Sequence, residues 1–331
     1  MTQNQLLIHI GLPKVASTSI QRTLELSLKH NEYIYNPKDI VDKLFFLFSD
    51  NKFHDKYNLS TNYNNIKNEL KTYFSDSSGS KKKIISSERL SFFAYDIESF
   101  KKNITLIKEL APSAKIVLVV REPMSFLESY YKQAIASGIY SSPNEFFGFQ
   151  GSNAPQFKLK KFSYLEIYND LNEIYPGEFK ILFFEDFISN KKIFMEEFLS
   201  PISVGLNPVF PNFSSQLTNR GLTSAQVNFI CSFYKMLSFF KLNFLTLNYQ
   251  RRRKIGAHLA RHFFSKEKKD KVLVFDKVLY LYSRLTLSNF FKKYNFLLGN
   301  NESLLKNEEK IKKLVEKKLL TEYMELKKIF N

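Results

Sequence analysis

Cysteine is nearly absent from this chain: Cys231 is the only one in 331 residues. A single thiol excludes an internal disulfide framework and any metal site built from several cysteines. Its neighbours Phe229, Ile230 and Phe233 suit a small buried core residue. No uninterrupted apolar run is long enough to span a bilayer, and no basic segment followed by a long apolar one opens the chain. The sequence therefore reads as a soluble, unexported, cytoplasmic protein. Tryptophan is missing while phenylalanine reaches 34, a bias that reflects AT-rich coding and carries no mechanism.

Acidic residues are scarce in one place only. Residues 1–210 hold 25 Lys and Arg against 23 Asp and Glu, whereas residues 211–331 hold 24 against 9. The net charge of +17 thus belongs almost wholly to the last third, which points to a distinct basic region facing an anionic partner or simply to a solvated basic face. Arg251-Arg252-Arg253-Lys254, Arg261 and the Lys266–Lys271 cluster supply much of it. No nucleic-acid-binding motif accompanies these runs, so anionic lipid or glycan fits better than nucleic acid.

The apolar run Leu6–Ile10 predicts a buried strand, ended by the Gly11-Leu12-Pro13 break. Ser17, Thr18 and Ser19 then predict a helix start, with Ile20, Thr23, Leu24 and Leu28 continuing at helical spacing. A strand, a turn and an outward-facing helix N-terminus form an anion cradle. An ATP-type phosphate loop needs Gly, four residues, then Gly-Lys-Ser/Thr; counting from Gly11 places Ala16 and Ser17 there instead. The lysine, Lys14, lies ahead of the helix.

Residues 31–80 read as a long insertion between two strands, with a helix near 62–74. His54, Tyr57 and Tyr63 are candidate substrate contacts there, surface helix and loop being the plainer reading. Lys83–Ser87 predicts a second strand, ending in Ser87-Glu88-Arg89. A carboxylate at the C-terminal end of such a strand points into the crevice where open α/β sheets bind ligands, which makes Glu88 a candidate general base; a cap or salt bridge is its plainer role. A helix over 98–110 precedes Ala114–Val120, the strongest strand pattern in the chain, buried on both faces. Arg121 follows directly. Pro123 suits a first helical turn, Ser125 and Ser129 share a face, and Arg121 can converge with Ser129 on a phosphate. A helix over 158–175 and a strand over Phe179–Phe184 come next, where Glu185 and Asp186 read as structural.

The stretch Pro13-Lys14-Val15-Ala16-Ser17-Thr18-Ser19-Ile20-Gln21 resembles the phosphosulfate loop of sulfotransferases that use 3′-phosphoadenosine 5′-phosphosulfate (PAPS). Val15-Ala16 replaces the usual Thr-Gly, and glycine alone enters unusual backbone regions without steric cost. Arg121-Glu122-Pro123 followed by Ser129-Tyr130 resembles the family's second signature, at the expected distance after the first. The resemblance implies a P-loop-like, three-layer α/β fold with a mostly parallel sheet. It implies PAPS as co-substrate, held by Lys14, Ser17, Thr18, Ser19, Arg121 and Ser129, with Lys14 and Glu88 catalytic and no metal required. Arg220, in a loop comparable to one that closes over the nucleotide, is a further candidate contact.

The expected organisation is a PAPS-binding domain over residues 1–215 and a basic helical region over 216–331. A linker-like stretch from Pro201 to about Gln216 lies between them, an apolar helix over 222–245 follows, and a last helix spans roughly 302–330. The acceptor implied is a hydroxyl of a bacterial surface glycan or its lipid-linked precursor, met at the inner membrane face. Core packing on the domain is the default for the last helix, with homo-oligomerisation through it as the alternative. Two other classes compete: a nucleotide kinase or NTPase, and a non-catalytic glycan- or membrane-binding protein that keeps the fold.

Overall fold

The computed structural model describes residues 6–28, 32–48, 60–76, 81–91, 99–136, 139, 141–150, 157–203, 207–211, 222–224, 226–228, 230–232, 303–305 and 308–330. His54, Tyr57, Arg220, most of 222–245 and the basic clusters of 251–271 lie outside the described residues. The chain divides into two compact units. The first comprises Met1–Phe126, Pro155–Asn212 and Lys313–Asn331; the second comprises Leu127–Ala154 and Phe213–Lys312.

The first unit is α/β. Its strands are β1 (Leu6–His9), β2 (Tyr33–Tyr35), β3 (Lys82–Ser86), β4 (Lys115–Val120) and β5 (Phe179–Phe183). They form one parallel sheet in the order β2-β3-β1-β4-β5, so the first strand lies at the centre. In register, His9 stands between Ser86 of β3 and Val117 of β4. Ile116 to Val120 are fully buried, as a strand covered on both faces requires. Each such side chain contributes roughly 1.5–3 kcal/mol of apolar burial.

After β1 the chain passes through α1 (Ser17–Ser27) to the edge strand β2. It then runs through α2 (Lys38–Phe48) and α3 (Ser60–Ser75) back to β3, beside β1. α4 (Ser99–Leu110) leads across to β4 on the other side. The ends of β3, β1 and β4 therefore lie side by side where the connections change direction, the position at which open α/β sheets bind ligands.

Helix α5 (Pro123–Ala136) leaves β4 and carries the division between the units, after Phe126. Its start is fixed locally: Pro123 occupies the first turn, and the Glu122 carboxylate accepts from the Met124 and Ser125 N–H groups at 3.0 and 2.8 Å. The segment expected to be one helix over 158–175 is instead a 3₁₀ turn, Leu159–Lys161, followed by α7 (Tyr164–Ile174). Ser163 causes the break, because its hydroxyl accepts from the Glu166 N–H at 3.1 Å and caps α7. In the second unit, α6 (Pro143–Phe146) opens on a capping box between Ser142 and Glu145.

Beyond β5, the chain turns through α8 (Phe184–Ser189) and α9 (Lys191–Leu199). The described C-terminal segment is α10 (Glu309–Leu314), a π turn (Val315–Leu319) and α11 (Leu320–Phe330). α11, which belongs to the first unit, packs against β5 and α7. Tyr323 meets Phe183 edge-on at 5.4 Å, and Phe330 meets Tyr168 and Phe179. Among the described residues no helix is long and apolar enough to cross a membrane.

Candidate active site

Three loops after three adjacent strands carry Lys14, Glu88 and Arg121. The first stays stitched to β4 as it leaves the sheet: Ile10 N–H donates to Val117 O at 2.9 Å, and Leu12 N–H to Val119 O at 3.2 Å. Leu12 and Val15 are fully buried and anchor the loop, whereas Lys14 is half-buried. Lys14 and Ala16, at φ 67° and 62°, both adopt the left-handed region. These two residues turn the chain sharply around Val15 into α1. Ala16 therefore takes the conformation that glycine adopts at least cost, and being the smallest L-residue it can do so.

Ala16 is also the N-cap of α1, with no side-chain hydrogen bond to the first turn. Ser17, Thr18 and Ser19 do begin the helix, but as its first residues rather than its cap. The serine hydroxyls are thus not used up in capping, and the first-turn N–H groups and the helix dipole favour an anion. Ser17 is only 4 % exposed, and its Oγ has no hydrogen-bond partner among the described residues. Thr18 is exposed and Ser19 half-buried.

Gly11 makes close approach possible at this point. A Cβ there would lie 2.8 Å from His9 Nε2 and 2.9 Å from Ser17 Oγ, so only glycine fits. His9 is fully buried, with Nδ1 at 2.7 Å from Ser86 Oγ and its ring edge-on to Phe198. Burial lowers its pKa to about 3, which keeps the imidazole neutral. Ser86 is braced in turn: its carbonyl accepts from Gln21 Nε2 and Asn36 Nδ2, and its N–H donates to Asn36 Oδ1 at 2.7 Å. Burial first, and the Glu25 carboxylate second, push the Tyr35 phenol up. A cleft of about 380 Å³ opens alongside, bordered by Gln21, Glu25, Tyr33, Tyr35 and Asn36.

Glu88 opens a 3₁₀ turn, Glu88–Leu90, directly after β3. Buried Ser91 ties that turn to the loop after β1, since its hydroxyl lies 2.8 Å from Glu88 O and 3.1 Å from Gly11 O. Ser87 N–H donates to His9 O at 3.1 Å and extends the β1–β3 pairing up to the same place.

Arg121 donates from Nη1 to the Lys14 carbonyl at 2.9 Å, and its guanidinium lies over the Phe184 ring at 4.5 Å. The backbone on either side is held: Tyr164 OH donates to Arg121 O at 2.7 Å, and Glu122 N–H donates to Glu185 Oε1 at 3.0 Å. Tyr323 OH donates to the other Glu185 oxygen, so Glu185 is structural, as its sequence setting suggests. Burial, and then that carboxylate, raise the Tyr323 phenol pKa.

The structure thus brings Lys14, Ser17, Glu88 and Arg121 to neighbouring loops of the first unit. Ser129 is half-buried on the part of α5 that belongs to the second unit. Arg220 lies outside the described residues. His9, Ser86 and Ser91 carry no recognisable motif, and sequence reasoning passed over them. A histidine inside an otherwise aliphatic strand, opposite a serine at the end of the next strand, was their only signal.

No protein-family model matches this chain, and no curated protein matches it. Among solved structures, it is similar to the crystal structure of a sulfotransferase from Alicyclobacillus acidocaldarius. The two are 14% identical, with a TM-score of 0.41, over 65% of this chain and 86% of that one.

Proposed function

We propose that this protein is a sulfotransferase that moves a sulfuryl group from PAPS to a hydroxyl of a glycan acceptor. The observation that carries the reading is the loop itself. Lys14 stands ahead of an uncapped helix N-terminus, and the buried Ser17 hydroxyl is unmatched there. An anion supplies the partner that this hydroxyl and the first-turn N–H groups lack. The crowding at Gly11 fits the same reading, because it draws the loop close against β1.

In this reaction the acceptor oxygen attacks sulfur, the bond from sulfur to the 5′-phosphate oxygen breaks, and adenosine 3′,5′-bisphosphate leaves with that electron pair. Glu88 takes the acceptor proton. Lys14 offsets charge that develops on the departing phosphate oxygen, and Ser17, Thr18, Ser19, Arg121 and Ser129 hold the nucleotide, with Arg220 as an added contact. Catalysis is then positioning and electrostatics, with no metal called for. The charge of residues 211–331 favours an anionic surface, which suits a bacterial surface polysaccharide or its lipid-linked precursor at the inner membrane face.

Thermal-shift titrations of wild type and Lys14→Ala with PAPS, adenosine bisphosphate and Mg-ATP test the reading. PAPS and the bisphosphate stabilise wild type, and Lys14→Ala weakens both effects. Stabilisation by Mg-ATP alone would make the protein a kinase or NTPase. No stabilisation by any of the three would favour a binding protein. Turnover by Glu88→Gln checks the base separately, and wild-type turnover removes Glu88 from the mechanism.

A further inference from the structure

Sheet order gives the ligand end of the first unit two sides. β4, with Arg121 at its end, lies on one side of the central strand β1; β3 and the edge strand β2 lie on the other. The proposed nucleotide contact of Arg121 occupies the β4 side. The β2 side is left for a second substrate.

The cleft of about 380 Å³ lies on that second side, between α1 and β2. Gln21, Leu24, Glu25 and Leu28 line it at i, i+3, i+4 and i+7, a single face of the α1 helix. Gln21 follows Ser17 by one turn, about 6 Å along the axis. Tyr33 and Tyr35, two apart on β2, stand on the same side of the sheet, and Tyr35 OH donates to Gln21 O at 3.3 Å. Asn36 ends the cleft where it pairs with Ser86, and from Ser86 to Glu88 is at most about 7 Å of chain.

Leu24 and Leu28 are buried and make an apolar base, Tyr33 and Tyr35 are half-buried, and Glu25 is exposed. Burial, and then the carboxylates of Glu32 and Glu25 respectively, push the Tyr33 and Tyr35 phenols up, so both stay protonated. Tyr35 gives its proton to Gln21 O, which leaves the Tyr33 hydroxyl as a donor for a ligand. Among the described residues no lysine or arginine lines the cleft. Arg22, beside it on α1, donates to Glu25 Oε2 at 2.6 Å. A phosphate, sulfate or carboxylate would find no cation in the lining and would meet Glu25. An apolar base, phenol rings, a donor and an acceptor suit the C–H face and the hydroxyls of a sugar ring.

We propose that the cleft between α1 and β2 holds a neutral sugar residue of the acceptor glycan, and that Glu25 selects against acidic sugars. This deepens the sulfotransferase reading and rests on it for the acceptor's role. Tyr33 and the apolar base hold the ring, and Glu25 accepts from its hydroxyls. A carboxylate added to the sugar stands against Glu25, a repulsion that costs the wrong partner more than it costs the right one. A sugar seated at the Asn36 end brings a hydroxyl, its own or that of the next residue, toward Glu88.

The test uses full-length protein and matched sugar pairs: methyl β-D-glucoside with the glucuronide, and methyl β-D-galactoside with the galacturonide. Saturation-transfer NMR reads sugar binding with and without adenosine 3′,5′-bisphosphate, and calorimetry reads the bisphosphate. In wild type at least one neutral glycoside should bind, and its acidic counterpart at least about tenfold more weakly. Glu25→Gln should bring the acidic sugar to within about threefold of the neutral one, a gain that a damaged fold does not produce. Tyr33→Ala should weaken the neutral sugar at least about tenfold and leave bisphosphate affinity unchanged. Where Tyr33→Ala fails that control, Glu25→Gln decides alone. Equal binding of neutral and acidic sugars by wild type, or an unchanged preference in Glu25→Gln, overturns the selection. Full sugar binding by a folded Tyr33→Ala overturns the site. If the bisphosphate binds and no sugar does, the cleft proposal falls alone; if a sugar binds and the bisphosphate does not, the sulfotransferase reading falls and the same variants still decide the cleft. If neither binds, both fall.

Discussion

Arg121 Nη1 donates to the Lys14 carbonyl oxygen at 2.9 Å and so fastens the loop after β1 to the end of β4. Lys14 is held there at φ 67°, a conformation costly for any residue except glycine. A guanidinium can brace that backbone, stack on Phe184 and still present further N–H groups to a ligand, whereas an ammonium is a point donor. Arg121 therefore has a second task beside the phosphate contact expected from the sequence.

Arg121→Lys should reduce affinity for adenosine bisphosphate at least about tenfold while leaving the fold intact, since it keeps the charge but loses the fork and the stacking. Calorimetry and circular dichroism read the two effects separately. Wild-type affinity would show that charge alone suffices.

Ala16, at φ 62° and ψ 22°, gives a prediction of opposite character. Ala16→Gly relieves left-handed strain of about 1–2 kcal/mol but adds chain entropy to the unfolded state, so its stability should stay within about 1 kcal/mol of wild type. Ala16→Val should lose more than about 1 kcal/mol and weaken nucleotide binding, because a β-branched residue resists this conformation. Urea denaturation checks both.

That position also shows how far the sequence could be read. Strands β1, β3, β4 and β5 were legible because their apolar runs end in clear breaks, and the loop after β1 announced itself through Lys14 and the hydroxyl cluster. β2 was not legible: Tyr33–Tyr35 has three half-buried residues, too few for a period, at the edge of the sheet. α2 was legible but merged into the insertion: Ile40, Leu44, Leu47 and Phe48, at i, i+4, i+7 and i+8, form its buried face. Ser91 and Glu185 could not be assigned their exact roles at all, because each acts through contacts distant in sequence, with Gly11 and Tyr323 respectively.

Ser91 joins the loop of the proposed base to the proposed phosphate loop through the Glu88 and Gly11 carbonyls. Ser91→Ala removes that tie and takes the hydroxyl donor from the Gly11 carbonyl, while the Glu88 carbonyl keeps the Ser91 N–H, for about 1–3 kcal/mol of stability. Turnover should fall more than nucleotide affinity, since Glu88 is displaced while Lys14 and Ser17 remain. An equal fall in both would place Ser91 with the general framework.

His9 makes stability depend on pH. The folded state holds its pKa at about 3, while the unfolded chain titrates near 6.5. Between these values the unfolded state binds more protons, so the contribution is complete above about pH 6.5 and is lost as pH falls, by about 1.4 kcal/mol per unit. His9→Gln should therefore show a shallower loss of stability than wild type between pH 7 and 5. Parallel curves in urea denaturation would mean that His9 is not held neutral.

The last helix should matter to the site although it lies far from it in sequence. Tyr323 OH donates to Glu185, whose other oxygen accepts the Glu122 N–H, next to Arg121. Tyr323→Phe preserves the ring packing against Phe183 and Tyr164 and deletes only the hydroxyl. A part-buried carboxylate then loses a donor, at about 1–3 kcal/mol. If the path through Glu122 holds Arg121 in place, bisphosphate affinity falls with stability in Tyr323→Phe, and Glu185→Gln, which still accepts from Glu122 N–H through its carbonyl oxygen, loses less affinity. A fall in stability with unchanged affinity in both variants would confine α11 to holding β5 and α7, and would show that Arg121 is positioned without the path through Glu185.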